Sequence, residues 1–367
     1  MAIEYLSGNR ATGTSSDRTG LTTYSAKSWV ELGRATLSSA GDTLDLTGLD
    51  TSDYPYIKIL ATVQPSTGGS DETYINWRFN NDSGNNYAFR YNSDGGSDGT
   101  NTSQNKMLSY PPTNNQWQFI TMDLSNKSNQ EKLAVIQTVC RGATAGGSGN
   151  APSRRDIVGK WVNTSSAITQ VTAVNSQTSQ GDFQVGTEFV VLGAKSSGTD
   201  TSKGSFWQEL ADVELSSAGD TLDTSTITAK KYLWIQAFIP EGAGHHGYIY
   251  FNGDDGGSNN NYARRGSING GSDITTTDDD EINWSHDTNS AKYLNMFVIN
   301  KSDKEKLCIA EYMDYGSSGA GTTPNRIEWV YKWVNTSAQI SSVKLYNNKA
   351  SSNDFPIGTT LKVWGSD

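Results

Sequence analysis

Apolar and polar residues alternate in short runs along the whole chain. In "YIKILATV" (56–63), Ile57, Ile59, Ala61 and Val63 fall on one face, and in "YLWIQAFI" (232–239) Leu233, Ile235, Ala237 and Ile239 do the same. A period of two with one apolar face marks a strand that buries one side. "RIEWVYKWV" (326–334) separates Ile327, Trp329, Tyr331 and Trp333 from Glu328, Val330 and Lys332. Similar runs recur between clusters of Gly, Asn, Asp and Ser, and no amphipathic helix of useful length appears. "SNQEKLAVIQ" (128–137) fits a helical turn, but its later counterpart "SDKEKLCIAEYM" reads equally well as a strand.

These runs occur twice, in the same order. "ELGRATLSSAGDTLD" (31–45) returns as "ELADVELSSAGDTLD" (209–223), "NKSNQEKL" (126–133) as "NKSDKEKL" (300–307), and "KWVNTSSAI" (160–168) as "KWVNTSAQI" (332–340). The chain is thus a tandem duplication, with a period too long for a solenoid unit. The pattern predicts an N-terminal arm at 1–27, a first domain at 28–194, a polar linker at 195–204 and a second domain at 205–367. Roughly eight to ten strands per copy point to an all-β chain of two tandem, homologous, jelly-roll-like β-sandwiches. Ile3, Tyr5 and Leu6 give the otherwise polar arm a small apolar anchor, and assembly is expected to use that arm together with sheet faces and strand edges.

Composition narrows the function. The 367 residues suit two domains, each large enough to bury a core without staples. A formal charge of −10 excludes an electrostatic grip on nucleic acid or anionic membranes. Cys140 and Cys308 lie in no CxxC pair and are expected to be free thiols. The N-terminus "MAIEYLSGNR" has no apolar core of a signal peptide, and no run approaches a membrane span. Release from a cell by assembly and lysis is the expectation.

Catalytic chemistry finds little support. No GxSxG, HExxH or phosphate-binding loop occurs. The three histidines, His245, His246 and His286, all lie in the second copy; the adjacent pair points to opposite faces, which suits exposed loop residues better than a metal site. Asp42 and Asp45, repeated as Asp220 and Asp223, read as turn residues before Leu44 and Leu222. The run "DDDE" (278–281) reads as a solvated loop. No catalytic residue, metal or cofactor is assigned, and the chain is read as no enzyme. Seven N-x-S/T sequons, among them Asn126, Asn163, Asn300 and Asn335, follow from an Asn/Ser/Thr-rich composition. Trp161 and Trp333 recur in both copies and read as core. Trp329 and Tyr331 have Ile157 and Gly159 in their places and are the candidate glycan-stacking residues.

The stretch "RFNNDSGNNYAFRYNSDGGSD" (78–98) resembles a binding loop, with calcium at Asp82 or at its counterpart Asp254 as one reading. Its copy, "YFNGDDGGSNNNYARRGSINGGSD" (250–273), carries an insertion between Phe and Tyr. A calcium loop needs oxygen ligands at fixed spacing and a closing bidentate Glu, which neither copy has. The preferred reading is a hairpin displaying Asn, Asp and Gly at its tip.

The opening "IEYLSGNR…G…DRTG", then "W…LG…LSSAGDTLD", "FNNDSGNNYAFR" and "KWVNTS", resembles virion structural proteins of tailed viruses from aquatic bacteria and archaea. The resemblance covers the arm and both copies and brings no catalytic residues. It implies a non-enzymatic place on the particle surface: capsid decoration, turret, or tail and fibre component, made in the host cytoplasm. Its implied partners are copies of itself and other virion proteins, with a host surface glycan as a further candidate. A carbohydrate-binding adhesin and a double jelly-roll major capsid protein are the alternatives. Deleting residues 1–27 is predicted to weaken assembly, seen by electron microscopy, while circular dichroism of the two domains stays unchanged; undiminished assembly contradicts a role for the arm.

Overall fold

The computed structural model describes residues 29–65, 73–110, 116–142, 146–176, 181–194, 205–242, 244–255, 260–284, 289–314, 323–349 and 354–367. The arm residues Ile3, Tyr5 and Leu6, the linker 195–204 and His286 lie outside them. The described residues form two tandem jelly-roll-like β-sandwiches, each an eight-stranded sheet packed on a four-stranded one.

In the first, the large sheet runs β1 (Val30–Thr36), β12 (Glu188–Ala194), β3 (Tyr56–Val63), β8 (Gln118–Ser125), β9 (Lys132–Cys140), β10 (Ser153–Trp161), β5 (Tyr87–Ser93) and β6 (Gly99–Gln104). The small sheet runs β2 (Thr43–Leu46), β11 (Val171–Asn175), β4 (Ile75–Phe79) and β7 (Met107–Leu108). The second sandwich repeats this order. Its large sheet is β13 (Gln208–Glu214), β24 (Thr360–Ser366), β15 (Tyr232–Ile239), β20 (Lys292–Ile299), β21 (Lys306–Asp314), β22 (Asn325–Trp333), β17 (Tyr262–Ile268) and β18 (Ile274–Asp279). Its small sheet is β14 (Thr221–Asp223), β23 (Val343–Asn347), β16 (Gly247–Phe251) and β19 (Ile282–Asn283).

Among the described residues each copy has twelve strands rather than eight to ten. The additional ones are too short or too polar to alternate, such as β6, "GTNTSQ". "KLAVIQ" and its counterpart "KLCIAE" both lie in strands, not in a helical turn. The inward faces expected from alternation fill the two cores, with Ile57, Ile59, Ala61 and Val63 in one and Leu233, Ile235, Ala237 and Ile239 in the other.

The repeated polar motifs are the joints of the fold. Asn126 donates its amide to Thr51 O and Tyr54 O and accepts from the Ile168 amide; Asn300 bonds Lys230 O, Ile340 O and the Ile340 amide in the same way. Asn163 and Asn335 each accept two backbone amides of the following turn. Lys132 places its ammonium on the carbonyls of Lys127, Gln130 and Asn163, and Lys306 on those of Lys304 and Asn335. Backbone groups buried at the ends of a sandwich need such partners, which accounts for the persistence of these polar residues.

The loop at 80–86 is not a hairpin tip. Its flanking strands belong to different sheets: β4 pairs with β11 in the small sheet, and β5 with β10 in the large one. Alternation identifies strands but not their neighbours, so an arch between layers reads like a hairpin. Asn80 and Asn252 start the two arches at φ of 52° and 54°, a region that Asn tolerates. The Tyr87 hydroxyl accepts the Phe79 amide at 3.0 Å, and Tyr262 accepts that of Phe251 at 3.0 Å. Asp82 turns inward and accepts the Trp161 indole N–H at 2.7 Å; Asp254 accepts that of Trp333 at 2.6 Å. Asn86 and Asn261 donate to the same carboxylates. Both carboxylates thus serve the fold, each accepting an indole and a side-chain amide.

Desolvation pushes the Asp82 carboxyl up, but hydrogen bonds from Trp161, Asn86 and Gly84 outweigh it and hold the group below its ordinary range. A folded value below the unfolded one means that this contribution to stability is present above the unfolded pKa. It is lost as pH falls through the folded value. Asp254→Ala leaves a buried indole N–H without its acceptor, and the expected loss in urea denaturation is about 1–3 kcal/mol. Asp254→Asn retains an acceptor oxygen and should recover part of that loss; equal effects of the two substitutions would contradict the clamp.

Candidate functional site between the sandwiches

A strand in a large sheet has a second, outward face. In β3, β8, β9 and β12 that face carries Leu60, Phe119, Val139, Val190 and Leu192; in β15, β20, β21 and β22 it carries Tyr232, Ile299, Leu307, Ile309 and Val330. These residues, with Trp117, Phe206 and Trp207, form one buried apolar cluster shared by the two sandwiches. Gln137 and Glu311, which hold equivalent places on β9 and β21, meet at 3.2 Å. The docked edge is closed by polar contacts. Glu188 pairs with Lys231 and with Arg34 and accepts the Tyr232 hydroxyl at 3.0 Å. Lys332 donates to Arg141 O at 2.7 Å, and Glu305 accepts the Gly147 amide at 2.7 Å.

Two cavities lie along this junction. One, of about 250 Å³, is lined by Trp29, Lys58, Asp123, Trp207, Trp234 and Phe297, among others. Trp234 stacks on Phe297 and Trp364 at ring-centre distances of 5.7 and 6.1 Å, and its indole N–H donates to Asn295. Lys58 pairs with Asp123 at 2.7 Å and lies 4.7 Å from the Phe297 ring centre, so the box holds a cation of the chain itself. Aromatic faces beside Asn and carboxylate groups can bind a saccharide ring or a flat polar ligand.

The other cavity, of about 600 Å³, is wider and charged, with Arg154, Asp156, Gln137, Glu311, Arg326 and Glu328 on its walls. Arg154, almost wholly buried, crosses to the second sandwich and grips Asp273 with two nitrogens, at 2.7 and 3.2 Å; it also pairs with Asp156 and Glu328. Its own backbone amide donates to Asp94, which in turn faces Arg265 at 3.4 Å. Carboxylates outnumber the cations here. Burial pushes Asp156 up to about 6 against the pull of Arg154, aided by Glu328, Asp273 and Glu311. Burial also raises Asp94 and, with Glu328 and Asp123, Glu311.

The other candidates from the sequence fall elsewhere. Trp329 and Tyr331 are 4% and 1% exposed and sit in the core of the second sandwich, so they form no surface ladder for a glycan. The Tyr331 hydroxyl donates to Asn283 O. In the first copy the smaller Gly159 fits because Met107 fills the adjacent space: a β-carbon there would lie 3.0 Å from the Met107 sulfur. The difference between copies that suggested a specialised surface is a repacking of the core. His245 is fully buried rather than exposed, between Pro240 O and the Lys292 ammonium, and His246 bonds Asn283. Among the described residues no group of His, Cys, Asp and Glu is placed to hold a metal ion. The run 278–281 is not a free loop: Asp278 and Asp279 end β18, and Ser148 of the first sandwich donates to Asp278 at 2.6 Å. Cys140 and Cys308 are free and buried. Asp42 holds the Asn175 amide group at 3.0 Å, in keeping with a turn role.

No known protein family and no curated protein matches the chain. Among solved structures, domains LG4-5 of the mouse laminin alpha1 chain are similar at 12% identity over 93% of this chain and 90% of that one, with a TM-score of 0.19. The LG1-3 region of the laminin alpha2 chain is similar at 9% identity over 88% of this chain and 64% of that one, with a TM-score of 0.20. Scores this low leave the architecture to be read from the strand topology alone.

A carboxyl raised in the docked state binds more protons there than when exposed. The contribution of Asp156 is therefore complete below its unfolded pKa, about 3.9, and is lost as pH rises through about 6. Lowering pH from 7 to 5 is predicted to tighten the junction, measured as larger protection factors in β9 and β21 after correction for the intrinsic pH dependence of amide exchange. Asp156→Asn should flatten that dependence, and an unchanged pH profile would contradict the assignment.

Proposed function

We propose that the chain is a non-enzymatic structural protein that works by assembly, on a virus particle, through the outward faces of its large sheets. One observation carries this reading. Those faces already adhere to each other within the chain, while Leu133, Val135, Val158, Tyr293 and Met313 on the same faces stay exposed. Apolar side chains clustered on an open sheet face favour contact with another surface. The place on a particle rests on the sequence resemblance to virion proteins. Capsid decoration, turret and tail or fibre component are all compatible with two rigid sandwiches joined side on.

The aromatic cavity at Trp29, Trp234 and Phe297 supports a second reading, a carbohydrate-binding adhesin. Negative-stain electron microscopy of the purified protein separates the two. Rings, spikes or larger assemblies are expected. Single particles of monomer size, together with glycan-array binding that Trp234→Ala abolishes, would replace assembly by the adhesin reading.

A further inference from the structure

The duplication provides an internal control for every surface position. On β9 and β10, Leu133, Val135 and Val158 point outward and are 56%, 53% and 52% exposed. Their equivalents on β21 and β22, Leu307, Ile309 and Val330, are 0%, 2% and 4% exposed, because the first sandwich covers them with Phe119 and Val139. The equivalents of Phe119 and Val139 are Tyr293 and Met313, which are 38% and 45% exposed. Each chain therefore uses one pair of complementary half-faces and leaves the other pair open.

The polar rim follows the same rule. Lys332 and Glu305 bind Arg141 O and the Gly147 amide across the junction. Their counterparts, Lys160 and Glu131, bind only each other, at 2.9 Å, on the open surface. The two open halves do not cover one another within the chain. Val135 and Val158 line the cavity of about 600 Å³, and Val135 also the one of about 250 Å³; Tyr293 and Met313 line another of about 510 Å³, which shares Glu311, Arg326 and Glu328 with the cavity of about 600 Å³.

Building on the assembly reading, we propose that the Leu133–Val135–Val158 face is a docking surface for the Tyr293–Met313 face of a second copy of this chain, repeating the contact made internally. The template for the contact is the junction already present, and the open face is continuous with it. Two different half-faces joined in this way make a heterologous, head-to-tail contact. Repetition of such a contact closes into a ring or extends as a filament.

Sedimentation velocity and native mass spectrometry of the full chain test this, with Val135→Glu, Met313→Glu and their equimolar mixture. Both positions are exposed, so circular dichroism should show both variants folded; Val158→Lys replaces Val135→Glu if it does not. The wild type is expected to exceed a dimer, and each variant alone to lose assembly. The mixture is expected to form a dimer and nothing larger, because only one intact pair of half-faces remains. Variants that assemble like the wild type would overturn this contact and leave the assembly reading standing. A mixture that stays monomeric would overturn the head-to-tail arrangement. A wild type that is monomeric at every concentration would overturn both the contact and the assembly reading.

Discussion

The outward faces of two eight-stranded sheets bury each other, and most other features of the molecule follow from that contact. A sheet that packs a sandwich on one side needs only polar residues on the other. Here β3 and β8 carry Leu60 and Phe119 outward, and β21 and β22 carry Leu307, Ile309 and Val330. Covering them fixes the two sandwiches against one another. It also desolvates the charges caught at the margin, where Arg154 holds Asp273 and where Asp156 is pushed up to about 6. A buried ion pair adds little net stability by itself, but breaking one partner is costly. The pair ties β10 of the first sandwich to the loop before β18 of the second.

A second consequence concerns which residues are free to carry function. The motifs shared by the two copies look like sites because they are polar and repeated. The Asp82–Trp161 and Asp254–Trp333 clamps, the Asn126 and Asn300 bridges, and the lysines of "EKL" all close backbone or indole groups at the ends of the sandwiches. Shared residues hold the fold, while the residues that differ in exposure between copies mark the surfaces available for contact. Leu133 and Leu307 are the plainest case, being identical in type and opposite in burial.

The alternation of Ile57, Ile59, Ala61 and Val63 made the strands and their inner faces legible, and the repeated motifs made the duplication legible. Sheet membership was not. The stretch from Phe79 to Tyr87 has the composition of a hairpin, and only the hydrogen bonds show β4 and β5 in different layers. Trp329 and Tyr331 resemble a surface ladder in sequence because the packing partners that distinguish the copies, such as Met107 beside Gly159, are distant along the chain. The junction itself left one signal in the sequence, apolar residues on both faces of β3 and β8. That signal is ambiguous, since a strand buried on both faces can lie within one domain as readily as between two. The charged cluster joins residues more than a hundred positions apart, Arg154 with Asp273, and no local pattern announces such a pair.

The two sandwiches form one body through their large sheets. Small-angle X-ray scattering of the chain at a concentration where it is a monomer measures this directly. A docked pair predicts a pair-distance distribution with a single maximum, unchanged by added salt because the contact is chiefly apolar. A distribution with two maxima, as from two separate lobes on a tether, would contradict it.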